Sequence, residues 1–130
     1  MKFEFIPKVF ISTPMNGKNR AEIEKEMDRL LAQAAKTVEE GEPHFEAVEV
    51  VPSLLPEEFV ETHSPLNCLV VSLHCLAEAH IAIFGKGWKE ARGCRIEHQC
   101  ATDYEIPVVI EENDDGTFTV VRNILAKKGE

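Results

Sequence analysis

His80-Ile81-Ala82-Ile83-Phe84-Gly85-Lys86-Gly87-Trp88-Lys89-Glu90-Ala91-Arg92-Gly93-Cys94-Arg95-Ile96-Glu97, a helical stretch, and then Ile106-Pro107-Val108-Val109 decide the fold of this 130-residue chain. The apolar run Ile81–Phe84 stops at a glycine-bounded loop. The loop opens a helix after Gly93, and the helix feeds a second apolar run, Pro107–Ile110. Strand, loop, helix and strand in that order predict a βαβ unit. By helical spacing Arg95, His98, Gln99 and Thr102 share one face of the helix. Cys94, Glu97, Cys100, Ala101 and Tyr104 share the other. The second face is small and apolar except for Glu97. A carboxylate turned towards a sheet loses hydration and needs compensation. Two readings stand open: Glu97 caps backbone donors or pairs with a base, or it lines a ligand site.

Upstream, Val9-Phe10-Ile11 makes Lys8–Ser12 a buried strand that ends in Ser12-Thr13-Pro14-Met15-Asn16-Gly17-Lys18, a shaped loop. Asn19 with Glu22 resembles a capping box, and Ile23, Met27, Leu30, Leu31, Ala34 and Val38 mark the apolar stripe of a helix that Gly41 ends. His44 falls in a polar connection, and Val48–Val51 reads as a second strand cut off by Pro52. Ser53–His63 reads as a loop with one helical turn, a candidate lid. Ser64-Pro65 starts another helix, with Leu66, Leu69, Val70, Leu73, Leu76 and Ala77 as its stripe. Downstream, Asp115-Gly116 between β-prone runs predicts a hairpin or loose turn into an edge strand, with Ile124 and Leu125 beyond it.

Alternating strands and helices make this an α/β protein, one domain over 1–130, its mostly parallel sheet covered on both faces. Right-handed crossovers bring the loops after strands one and three to the same edge. Strand order 2-1-3-4-5, with an antiparallel edge strand as one outcome, sets them side by side. The Ser12–Lys18 and Gly85–Gly93 loops then make one cleft, with Glu97 in the first turn of the helix pointing into it.

A formal charge of −9 and 44% hydrophobic residues fit an acidic globular protein. The acidity argues against a nucleic-acid partner, while a helix N-terminus can still hold the phosphate of a single nucleotide. No run is long enough to span a membrane, and the N-terminus lacks a signal-peptide pattern, so a cytoplasmic protein is expected. There is no Walker A or G-x-G-x-x-G pattern, and no cofactor is expected. Cys68, Cys75, Cys94 and Cys100 form no C-x-x-C pair. Cys94 and His98 would need His74 or His80 to complete a metal site, and buried reduced thiols are the simpler reading, with no metal.

Val9-Phe10-Ile11-Ser12-Thr13-Pro14-Met15-Asn16-Gly17, Asn19-Arg20, Val51-Pro52, Gly87-Trp88, Arg92-Gly93 with Glu97, and Ile106-Pro107-Val108 resemble the nucleoside 2-deoxyribosyltransferase superfamily. The closest likeness is to its small branch, the domain of unknown function 4406 group. The resemblance spans nearly the whole chain and implies a flavodoxin-like or Rossmann-like three-layer domain that works as a homodimer on a nucleoside or nucleotide. It implies an N-glycosidase or deoxyribosyltransferase in which Glu97 is the nucleophile at C1′. Ser12, Thr13, Pro14, Met15, Asn16, Gly17, Gly87, Trp88, Arg92 and Gly93 would bind the substrate, with Trp88 walling the cleft. A helix N-terminus beside Glu97 would favour its ionised form. Three positions depart from the family pattern. Ser72 and His80 replace aspartates, and Ala91 replaces an aspartate or serine that touches the sugar or its phosphate. The departures imply an alternative, a nucleotide-binding module without chemistry. A third reading is a domain for protein association, which exposed Leu66, Leu69 or Val70 would favour.

Overall fold

The computed structural model describes residues 6–38 and 48–124. The expected helix stop at Gly41, the loop residue His44 and the segment from Leu125 lie outside them. In chain order the elements are β1 (Lys8–Ser12), α1 (Arg20–Val38), β2 (Glu49–Val50), α2 (Glu57–Thr62), α3 (Pro65–Ala77), β3 (Ile81–Phe84), α4 (Arg92–Asp103), β4 (Val108–Glu112) and β5 (Phe118–Asn123). The sheet has the order β2-β1-β3-β4-β5. β1, β2, β3 and β4 run parallel, and β5 pairs antiparallel with β4.

Period-two alternation builds the layers. Val9, Ile11, Ile81, Ile83, Val108 and Ile110 face one side and pack with Leu30 and Ala34 of α1. Phe10, Ala82, Phe84 and Val109 face the other and pack with Leu76 of α3 and Ala101 of α4. Ser12 has the parity of Phe10, so the strand itself aims its side chain at the α3/α4 layer. At the start of α1, Glu22 N donates to Asn19 Oδ1 (2.9 Å) and Asn19 N to Glu22 Oε1 (3.3 Å), the expected reciprocal cap. Ser64 caps α3 by accepting from Asn67 N at 3.1 Å.

Three sequence expectations need correction. β4 runs Val108–Glu112 rather than Pro107–Ile110, because Pro107 has no N–H for the ladder while Glu111 and Glu112 keep their pairing. β2 is shorter than Val48–Val51, although Val51 N still donates to Val9 O at 2.9 Å. Only part of the α3 stripe is buried. Leu73 and Leu76 reach the core, whereas Leu66 is 69% and Val70 57% exposed. Leucines and valines cover more of this helix than one sheet face hides, so periodicity overstates the stripe.

Gly85, directly after β3, sets how closely the two cleft loops approach. A Cβ there would stand 2.8 Å from Leu30 Cδ1 and 2.9 Å from Thr13 Oγ1. Gly85→Ala is expected to destabilise the fold by about 1–3 kcal/mol through overpacking, read as a lower denaturation midpoint at unchanged slope.

Candidate active site

The loops after β1 and β3 meet as the topology requires, and α4 closes the space between them. α4 begins at Arg92, with Ala91 at its N-cap and no side-chain cap bond. Glu97 therefore sits in the second turn, not the first. It is 8% exposed and lies between Cys94 and Ala101 on the buried face. Ser12 Oγ donates to Glu97 Oε1 at 2.6 Å, and both residues are buried. Burial pushes the Glu97 carboxyl up to about 7, with the Ser12 hydrogen bond pulling partly the other way. The expected help from the helix N-terminus is overturned: Glu97 is beyond the first turn, where the dipole falls away, and desolvation prevails. Burial likewise pushes the Cys94 thiol up to about 11, with the polar Ser12 hydroxyl nearby pulling partly the other way.

Glu97 lines a cavity of about 550 Å³. Of the residues expected to bind substrate, Ser12, Thr13, Pro14, Met15, Asn16, Arg92 and Gly93 line it too. Three do not. Gly17 turns away at positive φ (+78°), in the bend where Lys18 N donates to Met15 O. Gly87 and Trp88 line a separate cavity of about 230 Å³ with Glu111 and Glu112. Trp88 is held there because its ring stacks on His98, with centroids 3.8 Å apart, so it does not wall the Glu97 cavity.

That stacking also corrects the reading of the α4 faces. His98 is half-buried between Phe84 and Trp88, and its Nε2 lies 2.6 Å from Glu111 Oε2. Tyr104, assigned to the packed face, is 83% exposed. His80 serves the fold: its Nδ1 accepts from Lys8 N at 2.9 Å. No group of three His, Cys, Asp or Glu side chains among the described residues is arranged to hold a metal.

The remaining walls are only partly legible in the sequence. Ser53, Leu54, Leu55 and Val60 come from the segment read as a lid, and Cys68, Leu69 and Ser72 from α3. Ser53 Oγ donates to Ile11 O at 2.8 Å, and Arg20 Nη1 donates to Leu55 O at 2.8 Å, so this segment is tied to β1 and α1. Ser53 carried no motif. Its one signal was a hydroxyl just after the proline that ends β2. Among the described residues the charged lining is Glu90, Arg92 and Glu97. The cavity offers one buried carboxylate, hydroxyls and an apolar wall.

No described helix is long and apolar enough to cross a membrane. No protein-family model, curated protein or solved structure matches the chain.

Proposed function

We propose that the protein cleaves or exchanges the N-glycosidic bond of a nucleoside or nucleotide, with Glu97 as nucleophile. The observation that carries this reading is a buried carboxylate with one oxygen hydrogen-bonded to Ser12, lining a cavity large enough for a small ligand. An ionised Glu97 oxygen attacks C1′. The C1′–N bond breaks, its electron pair leaves with the base, and the base takes a proton from solvent. Water or a second base then attacks C1′ of the ester, and the C–O pair returns to Glu97. The attacking water or base loses its proton to solvent. The transition state is oxocarbenium-like, and the carboxylate beside it stabilises the developing charge. Thr13, Asn16 and Arg92 are positioned to hold polar groups of the substrate, and Leu54, Leu55 and Leu69 to pack on an apolar face such as a base.

The direct test is release of free base from deoxynucleosides and deoxynucleotides. Wild type is expected to release base and Glu97→Gln none; equal release by both would overturn the reading. Because only ionised Glu97 attacks, the rate should climb through pH 7 to a plateau, with about a tenth of the plateau rate near pH 6. A rate that falls over this range would instead make Glu97 an acid.

A second reading is a nucleotide-binding module without turnover. Ser72 favours it, since a serine lines the α3 wall and cannot deliver a proton to a leaving base as a carboxylic acid would. Thermal stabilisation by nucleotides without base release would establish it. We keep the homodimer, and with it the protein-association reading, as proposals supported by exposed Leu66 and Val70 on the helix that also lends Cys68, Leu69 and Ser72 to the cavity.

A further inference from the structure

Glu97 is held from one side only, and Ser12 builds that side. Ser12 is the last residue of β1 and is 2% exposed. Its carbonyl accepts from Gly85 N at 2.8 Å, so its backbone is fixed by the strand beside it. Its hydroxyl has one proton, directed to Glu97 Oε1 at 2.6 Å. Glu97 Oε2 has no hydrogen bond among the described residues, and it is not among the sealed side-chain atoms without a partner, so it opens to the cavity.

We propose that Ser12 is a positioning residue for Glu97: its hydroxyl fixes Oε1 against β1 and leaves Oε2 as the oxygen presented to the substrate. The role rests on Glu97 being the reacting group, as proposed above. A carboxylate anchored through one oxygen cannot spin about its terminal torsion, which is otherwise broad. The reacting lone pairs are thereby aimed before the ligand arrives, which lowers the entropic part of the barrier. The anchor also opposes burial by stabilising the charged form. Few other groups share that task. The titratable or charged groups facing the cavity are Glu90, Arg92 and Cys94 from α4 and the loop before it, and Cys68 from α3. Neither β1 nor the segment Ser53–Leu55 contributes an ionisable lining residue, and the Lys18 charge is felt at Cys94.

The test is the titration of Glu97 itself, followed by carbon-13 NMR of the glutamate side-chain carboxyls, with Glu97→Gln identifying the resonance. Wild type should titrate near 7. Ser12→Ala should move the midpoint upward by about one to two pH units, the worth of a hydrogen bond to a charged group. Ser12→Thr restores the hydroxyl and should bring it back. Ser12→Cys, close in volume but a weaker donor, should fall between. A Ser12→Ala midpoint within about 0.3 units of wild type would overturn the proposal, that margin being small beside the one-to-two-unit effect. If the alanine variant does not fold, a Ser12→Cys midpoint equal to wild type overturns it equally. The pH limb of base release should follow the NMR midpoints. If the midpoints move but no base is released by any form, the anchoring of Glu97 by Ser12 stands and the glycosidase reading alone falls.

Discussion

Glu97→Gln should be more stable than wild type near pH 8 by about 3 kcal/mol, and the gap should close below pH 4.5. The carboxyl moves from an ordinary 4.5 to about 7 on folding. Its folded value is raised, so the native state holds the proton more tightly than the unfolded chain. Below 4.5 the group is neutral in both states and costs nothing. Between 4.5 and about 7 the unfolded chain has released its proton and the native state has not, so wild-type stability falls as pH rises. Above about 7 the whole penalty is present. Glutamine removes the charge, keeps an oxygen for the Ser12 hydroxyl, and turns its amide to the cavity. Denaturant unfolding of both forms at several pH values isolates this group, since every other titration is common to the pair. The sign separates the two readings that the sequence leaves open. A glutamate kept for capping or ion pairing would make Glu97→Gln less stable at pH 8, whereas one that destabilises the fold it belongs to is retained for another reason.

Some of this site is legible in the sequence, and the part that is not has identifiable causes. The βαβ unit reads cleanly because Ile81–Phe84 and Val108–Ile110 are continuous apolar runs flanked by glycine and proline. The order 2-1-3-4-5 then places the Ser12 and Gly85 loops together without reference to any side chain. Glu97 stands out because helical spacing puts it with Cys94 and Ala101, both buried. The same spacing misplaces His98 and Tyr104, since a histidine becomes interior only if something receives it. Phe84, Trp88 and Glu111 receive His98, and nothing receives Tyr104. Trp88 is diverted from the cleft by that same stack. A start of α4 at Arg92 rather than beyond Gly93 moves Glu97 out of the first turn and reverses the electrostatic argument, from a dipole that favours charge to burial that opposes it. Ser12 is visible as a loop residue, but its bond to Glu97 spans 85 positions and has no local trace.

Arg29→Met should cost about 3 kcal/mol of stability, and Glu112→Gln added to it should recover a large part. Nothing in the sequence marks this pair, 83 positions apart. Arg29 lies on the α1 face that reaches across to the end of β4, where Glu112 is 5% exposed. Nη1 donates to Glu112 Oε2 at 3.0 Å and Nη2 to Oε1 at 2.9 Å, a two-pronged grip. Lys86 N donates to the same Oε1 at 2.9 Å, which ties the loop after β3 to the site. Burial alone would push the Glu112 carboxyl up, but the bonds from Arg29 and Lys86 outweigh it and hold the group below its ordinary value. Glu112 also raises Arg29, whose second partner is Glu26. Methionine keeps the stem but strands a buried carboxylate. Because the guanidinium side chain is 35% exposed, the loss belongs at the low end of the range for broken buried pairs. The pH dependence supplies a second signature. A depressed carboxyl stabilises the fold above its unfolded value and loses that contribution as pH falls through the folded one, so wild type weakens in acid. In Arg29→Met burial is left with less opposition, Glu112 rises, and this source of acid weakening disappears. A double-mutant cycle at pH 7 and near pH 3 measures both effects, and additive losses with unchanged acid slopes would show that the pair is not coupled. Glu112 and Glu97 thus act in opposite directions on stability, one carboxylate satisfied by a base and the other left by a single hydroxyl with an open oxygen.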